Sequence, residues 1–85
     1  MAVRTSYFVQ TFKKGRGGKV VPGDKEIAPT ENGAMKRAAA MGARLLGTAA
    51  LKIVADDETG EVQAATVLSQ HGEVPEDFAE SLRGG

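Results

Sequence analysis

Lys13, Lys14, Arg16 and Lys19, held within the stretch KKGRGGK, are the side chains whose types and spacing come nearest to a binding chemistry. Gly15, Gly17 and Gly18 lie between them, and glycines allow successive backbone N–H groups to face one anion, as phosphate-binding nests do. The preceding residue, Phe12, would offer a stacking surface for a base. The chemistry implied is retention of a polyanion, with no bond made or broken. This is not a P-loop, because Lys19 is followed by Val20 rather than Ser or Thr, and β-forming residues follow where a helix is required. The competing reading is a soluble hairpin tip whose lysines deter edge-to-edge pairing.

A second basic strip lies on the one segment with helical period, Thr30 to Gly47. At about 100° per residue, Met35, Ala38, Ala39, Gly42, Leu45 and Leu46 share one arc. Lys36, Ala40 and Arg44 fall opposite at intervals of four, with Arg37 beside them, so Lys36, Arg37 and Arg44 extend the candidate polyanion surface. Thr30 fits an N-cap, Glu31 suits the positive helix end, and Gly47 suits a left-handed C′ position. The apolar arc is rich in small residues. Such a face lets a helix approach a sheet closely, and Gly42 is expected at that contact.

The remaining reactive side chains read as structure. Asp56-Asp57-Glu58 with Glu61 lacks the ligand spacing of a calcium loop, and Asp57-Glu58-Thr59-Gly60 is what a tight turn with a glycine bulge demands. His71 stands near Ser69 and Glu73 in sequence, without the separated placement that a catalytic triad requires. There are no cysteines and one histidine, so thiolate and imidazole-rich metal sites are not expected. No catalytic residue, metal or cofactor is assigned.

The formal net charge of zero conceals an asymmetry. Residues 1–52 carry ten Lys/Arg against three acids, a net of +7, while residues 53–85 carry Arg83 against eight acids, a net of −7. Either the halves mix their charge on folding, or a basic face is left for an anionic partner. At 85 residues a single domain, 1–85, is expected. No apolar run approaches the roughly 20 residues of a membrane span, and the first ten residues lack the apolar core of a secretory signal. A cytoplasmic protein without a membrane partner is the expectation.

The elements that must position these residues follow from pattern. Val3–Phe12 is rich in β-branched and aromatic residues and carries aromatics on both faces, as a central strand does. A second strand starts at Val20 and is interrupted by Pro22-Gly23-Asp24, which marks it as an edge. After the helix, Leu51, Ile53 and Ala55 alternate against Lys52, Val54 and Asp56, and Glu61–Gln70 forms the fourth strand. Pro75 followed by Glu76 and Asp77 begins a short helical turn that would dock Phe78 and Leu82. The expected fold is α+β: a two-layer sandwich of a four-stranded, mainly antiparallel sheet in β-β-α-β-β order. One helix lies on one face, with a C-terminal helical turn and a tail at 83–85. The uncovered sheet face, bearing Tyr7 or Phe8, would suit a partner protein or a homodimer seam.

Tyr7-Phe8-Val9-Gln10, Val21-Pro22-Gly23, the alanine-rich helix and His71-Gly72-Glu73-Val74-Pro75-Glu76-Asp77 together resemble a family of small uncharacterised bacterial proteins. That likeness implies the fold and a bacterial origin, and no site residues. The final Leu82-Arg83-Gly84-Gly85 resembles the end of mature ubiquitin, whose β-grasp fold also opens with a hairpin and a helix. This second likeness implies a modifier joined to amines through the carboxylate of Gly85, although Pro75–Leu82 reads as helical where ubiquitin has an extended strand. The expectation from sequence is therefore a small non-catalytic binding or regulatory domain. Polyanion binding through the basic hairpin is the first alternative, and a ubiquitin-like modifier the second.

Overall fold

The computed structural model describes residues 2–78 and Glu80. Strand β1 spans Val3–Lys14 and β2 spans Val20–Ala28; helix α1 covers Glu31–Gly42; β3 spans Gly47–Asp56 and β4 spans Val62–Gly72. All strand pairs are antiparallel, in the order β2-β1-β3-β4. This is an α+β fold with a four-stranded antiparallel sheet and one helix. The sequence left strand order open; β1 and β3 prove central, and α1 carries the chain from edge strand β2 across to β3.

Strand β1 outruns its sequence bound at Phe12, and β2 reaches Ala28 without the break expected at Pro22-Gly23-Asp24. Lys13 and Lys14 belong to β1, paired with Val21 and Val20, and β2 continues through Pro22 to Ala28. Pro22 is tolerated because β2 is an edge, where a missing N–H costs no ladder bond. The register slips between Gln10 and Phe12, and side chains brace the irregularity. Thr11 Oγ1 donates to the Asp24 carbonyl at 3.0 Å, and Gln10 Nε2 lies 3.1 Å from the Gly23 carbonyl.

Helix α1 begins as its cap requires, with Thr30 Oγ1 accepting the Gly33 N–H at 2.9 Å. It ends at Gly42, not Gly47, and its buried face is Ala34, Ala38, Met41 and Gly42. Met35, Ala39 and Leu45 are exposed, so the arc expected from periodicity is rotated. The physical cause lies in β3. Gly47, Thr48, Ala49, Ala50 and Leu51 are all buried, so the chain must leave the helix early enough to enter the centre of the sheet. Gly47 is therefore a buried strand residue, where a Cβ would collide with the Glu73 carbonyl. Arg44 lies in the connecting loop rather than on the helix.

Two apolar clusters flank the sheet. On the helix side Val9, Ala34, Ala38 and Ala50 are fully buried, with Tyr7, Ala28, Met41 and Leu68 around them. On the other side Phe12, Ala49, Leu51 and Phe78 pack together, with Phe8, Val20, Val67 and Val74. Tyr7 thus faces the helix and Phe8 the opposite face. That second face is not bare, because Val74 and Phe78 cover one end of it. The Phe78 N–H donates to the Pro75 carbonyl at 3.1 Å, which closes the turn that brings Phe78 onto Phe12. A purely two-layer arrangement therefore needs correction at this end. Ile27, 72 % exposed, marks the part that nothing covers among the described residues. Leu82 and the tail at 83–85 lie outside the described residues.

Helix and sheet meet at close range. Thr48 Oγ1, on β3, donates to the Ala38 carbonyl at 2.6 Å, and a Cβ on Gly42 would stand 2.7 Å from His71 Cβ. Gly42→Leu is expected to overpack this contact and to destabilise by about 1–3 kcal/mol, whereas Ala40→Leu on the exposed face changes little. Thermal melting of the two variants measures the difference.

The β3–β4 turn closes through Asp56, whose Oδ1 accepts the N–H groups of Glu58 at 2.8 Å and Thr59 at 3.1 Å. Gly60 supplies the left-handed φ of 76°. Asp56 is thus a turn former, and the hydrogen bonds from Thr59 and then Glu58 hold its carboxyl below its usual range. A depressed folded pKa stabilises the fold above the unfolded value of 3.8, and that contribution is lost as pH falls through the folded one. Asp56→Asn should lower the melting temperature near neutrality and shrink the gap to wild type below that range, as thermal melts across acidic pH would record.

Candidate polyanion-binding hairpin

The β1–β2 hairpin overhangs the sheet. The ladder to β3 ends at Phe12 opposite Gly47, and β4 ends at Gly72 opposite the same residue, so residues 13–21 run on with only each other as neighbours in the sheet. Gly15 N–H donates to the Lys19 carbonyl at 2.6 Å and Gly18 N–H to the Gly15 carbonyl at 3.2 Å. A short 3₁₀ turn, Arg16–Gly18, reverses the chain, with φ of 75° at Gly17 and 78° at Gly18. Only glycine takes that sequence of angles at low cost, which explains the composition of the tip. Two of the loop N–H groups are thus consumed in the turn, and the anion-cradling role expected of the glycines shrinks accordingly.

Charge at the tip is presented outward. Lys13, Lys14, Arg16 and Lys19 are all exposed, and none makes an ion pair among the described residues. Phe12 is not available for stacking on a base: it is 2 % exposed and meets Phe78 edge-on, with ring centroids 4.9 Å apart. Alternation along β1 places Lys13 on the helix side, where it lines a depression of about 250 Å³ with Thr11, Met41 and Leu45. Arg44, next to Leu45 and exposed, therefore flanks the base of the hairpin.

The helix cations do not join them. Arg37 Nε bonds Glu26 Oε1 at 2.8 Å, and that hydrogen bond raises the guanidinium pKa further. The pair is half-exposed and contributes little to stability. Glu26 pairs with Val9, five positions along β1 from Lys14, a separation of about 17 Å. This is roughly two Debye lengths at physiological salt, where the Debye length is about 8 Å. Lys36 is exposed beside Arg37. Of the residues assigned to the surface from sequence, the hairpin holds Lys13, Lys14, Arg16 and Lys19 together, Arg44 stands in the loop next to Leu45, and Lys36 and Arg37 lie apart.

The distance from the hairpin to the acids of the C-terminal turn, open in the sequence, is set by two contacts. Glu73 N–H bonds the Leu46 carbonyl at 3.0 Å, next to Gly47, and Phe78 on Phe12 draws Glu76 and Asp77 to the same end. The other acidic cluster is remote. Val3 pairs with Asp56, so the Asp56–Glu61 turn lies eleven positions along β1 from Lys14, about 36 Å. The long axis of the molecule, 42 Å, is thus polarised, with a basic tip at one end and an acidic turn at the other.

His71 packs beneath Gly42 on the helix side of β4, with Thr48 opposite it. Gly85, the residue that conjugation would require, lies outside the described residues. No helix among those residues is long and apolar enough to cross a membrane. No family model, curated protein or solved structure matches the chain. The likeness to a family of small bacterial proteins therefore rests on the residues quoted for it alone.

Proposed function

We propose that this chain is a small non-catalytic binding domain that holds the backbone of a polyanion, such as a nucleic acid, with its β1–β2 hairpin. The observation that carries the reading is the overhanging tip with four exposed cations, Lys13, Lys14, Arg16 and Lys19, that make no ion pair among the described residues. Nothing at the tip is shaped to read base edges, and Phe12 is withdrawn into the core. Binding is accordingly weak and nearly independent of sequence. Glu73, Glu76 and Asp77 oppose it from the hairpin base, within reach of incompletely screened repulsion.

Four phosphate contacts on duplex DNA give a slope of log K against log salt of about −3 to −4, at about −0.9 per contact. Replacing Lys13 and Lys14 by Gln should flatten that slope by about 2 and leave the melting temperature unchanged, since both side chains lie outside the core. Glu76→Gln with Asp77→Asn should tighten binding at low salt. Fluorescence titration with single- and double-stranded DNA and RNA measures each effect. Absence of binding to all of them at low salt would reduce the hairpin to a solubility device.

A further inference from the structure

The two edges of the sheet are built differently. Edge strand β2 carries Pro22 and the charged run Asp24-Lys25-Glu26, features that keep a sheet from adding strands. Edge strand β4, Val62–Gly72, has eleven residues with no proline, lysine, arginine or carboxylate. Its pairing to β3 slips near each end, between Val54 and Ala55 and between Ala50 and Leu51, but Ala64, Ala65, Thr66 and Val67 form an unbroken ladder. A depression of about 370 Å³ lies along Val62–Thr66. We propose that β4 is an association edge and that its occupant is β4 of a second copy of this chain, joined antiparallel into one eight-stranded sheet.

The choice of occupant follows from charge and symmetry. Opposite residues in an antiparallel ladder share a face, so a two-fold axis passes midway between one residue and its own copy. With that residue at Ala65 or Thr66, the side chains brought together are small and neutral, and no like charges oppose each other along the ladder. A strand bearing lysine or glutamate there would repel itself. The two-fold axis stands perpendicular to the sheet, so both copies of α1 lie on one face and the two basic hairpins project from opposite ends. Each acidic Asp57–Glu61 turn then lies beside Glu73 of the other copy. Added salt screens that repulsion and tightens the dimer, the reverse of its effect on polyanion binding.

Sedimentation of the full chain, from micromolar to several hundred micromolar, should show a monomer passing to a dimer, more completely at higher salt. Amide exchange should slow with concentration in β4 and not in β2. Thr66→Glu places a carboxylate opposite Lys52, its partner on β3, which favours the fold. That variant should keep its melting temperature at low concentration and remain monomeric throughout. Thr66→Val should dimerise as the wild type does. Lys13→Gln with Lys14→Gln should dimerise normally even while losing polyanion binding, so the two readings fail separately. The proposal is overturned by a wild type that stays monomeric, by a dimer that survives Thr66→Glu, or by slowed exchange confined to the strand faces around Ile27 and Phe8.

Discussion

The contact on which the rest of this structure depends is the close seating of α1 on β3. Ala34, Ala38 and Gly42 present almost no side chain, so the helix backbone comes near enough for the Thr48 hydroxyl to reach the Ala38 carbonyl. Small residues bury little area each, and at about 25 cal/mol per Å² they contribute little one by one. What they permit is proximity, and proximity makes the contact intolerant of added volume. Gly47 repeats the constraint at the strand entry against Glu73. These glycines bring three separate stretches to one end of the sheet: the helix exit, the start of β3, and the chain leaving β4. The hairpin overhang starts at that same level.

Much of this was legible in the sequence, for identifiable reasons. The β-branched and aromatic run of β1, the Pro22 interruption and the Thr30 cap are local signals, and each yields the element that local physics demands. The close approach of Gly42 was legible because a small-residue stripe has one obvious use. The helix terminus was not. Leu45 and Leu46 continue the helical period, and no local rule reveals that residues 47–51 must become a strand buried on both faces. The Leu51–Asp56 alternation described only the half of β3 that stays partly open. A central strand covered on one side by a helix and on the other by Phe78 loses its period-2 signature.

The hairpin shows the same division between local and tertiary information. Its glycines and lysines were evident in the chain, and so was its place between two strands. The sequence could not show that Phe12 would be spent on Phe78, because that pairing joins residues 66 positions apart through a turn at Pro75. Nor could it show that Arg37 would take Glu26 from across the β2–α1 connection. Both contacts subtract from the surface that composition suggests. The exposed positive charge at the hairpin therefore comes from fewer groups than the +7 of residues 1–52 implies.

Polarity of the molecule along its strands has a topological origin. Because β1 and β3 are antiparallel neighbours, the β1–β2 turn and the β3–β4 turn must lie at opposite ends of the sheet. Any difference in charge between the two turns is then stretched over the full strand length, here about 36 Å, several times the screening distance in physiological salt. A chain of zero net charge in this topology behaves locally as two charged ends. An anion near Arg16 experiences the lysines around it and the carboxylates of Glu73, Glu76 and Asp77 at the hairpin base, while the four acids of the Asp56–Glu61 turn are screened from it. The segment that offsets the positive charge of the tip is therefore residues 73–78. Its position is fixed by an apolar contact, Phe78 on Phe12, and not by any attraction between the charges themselves.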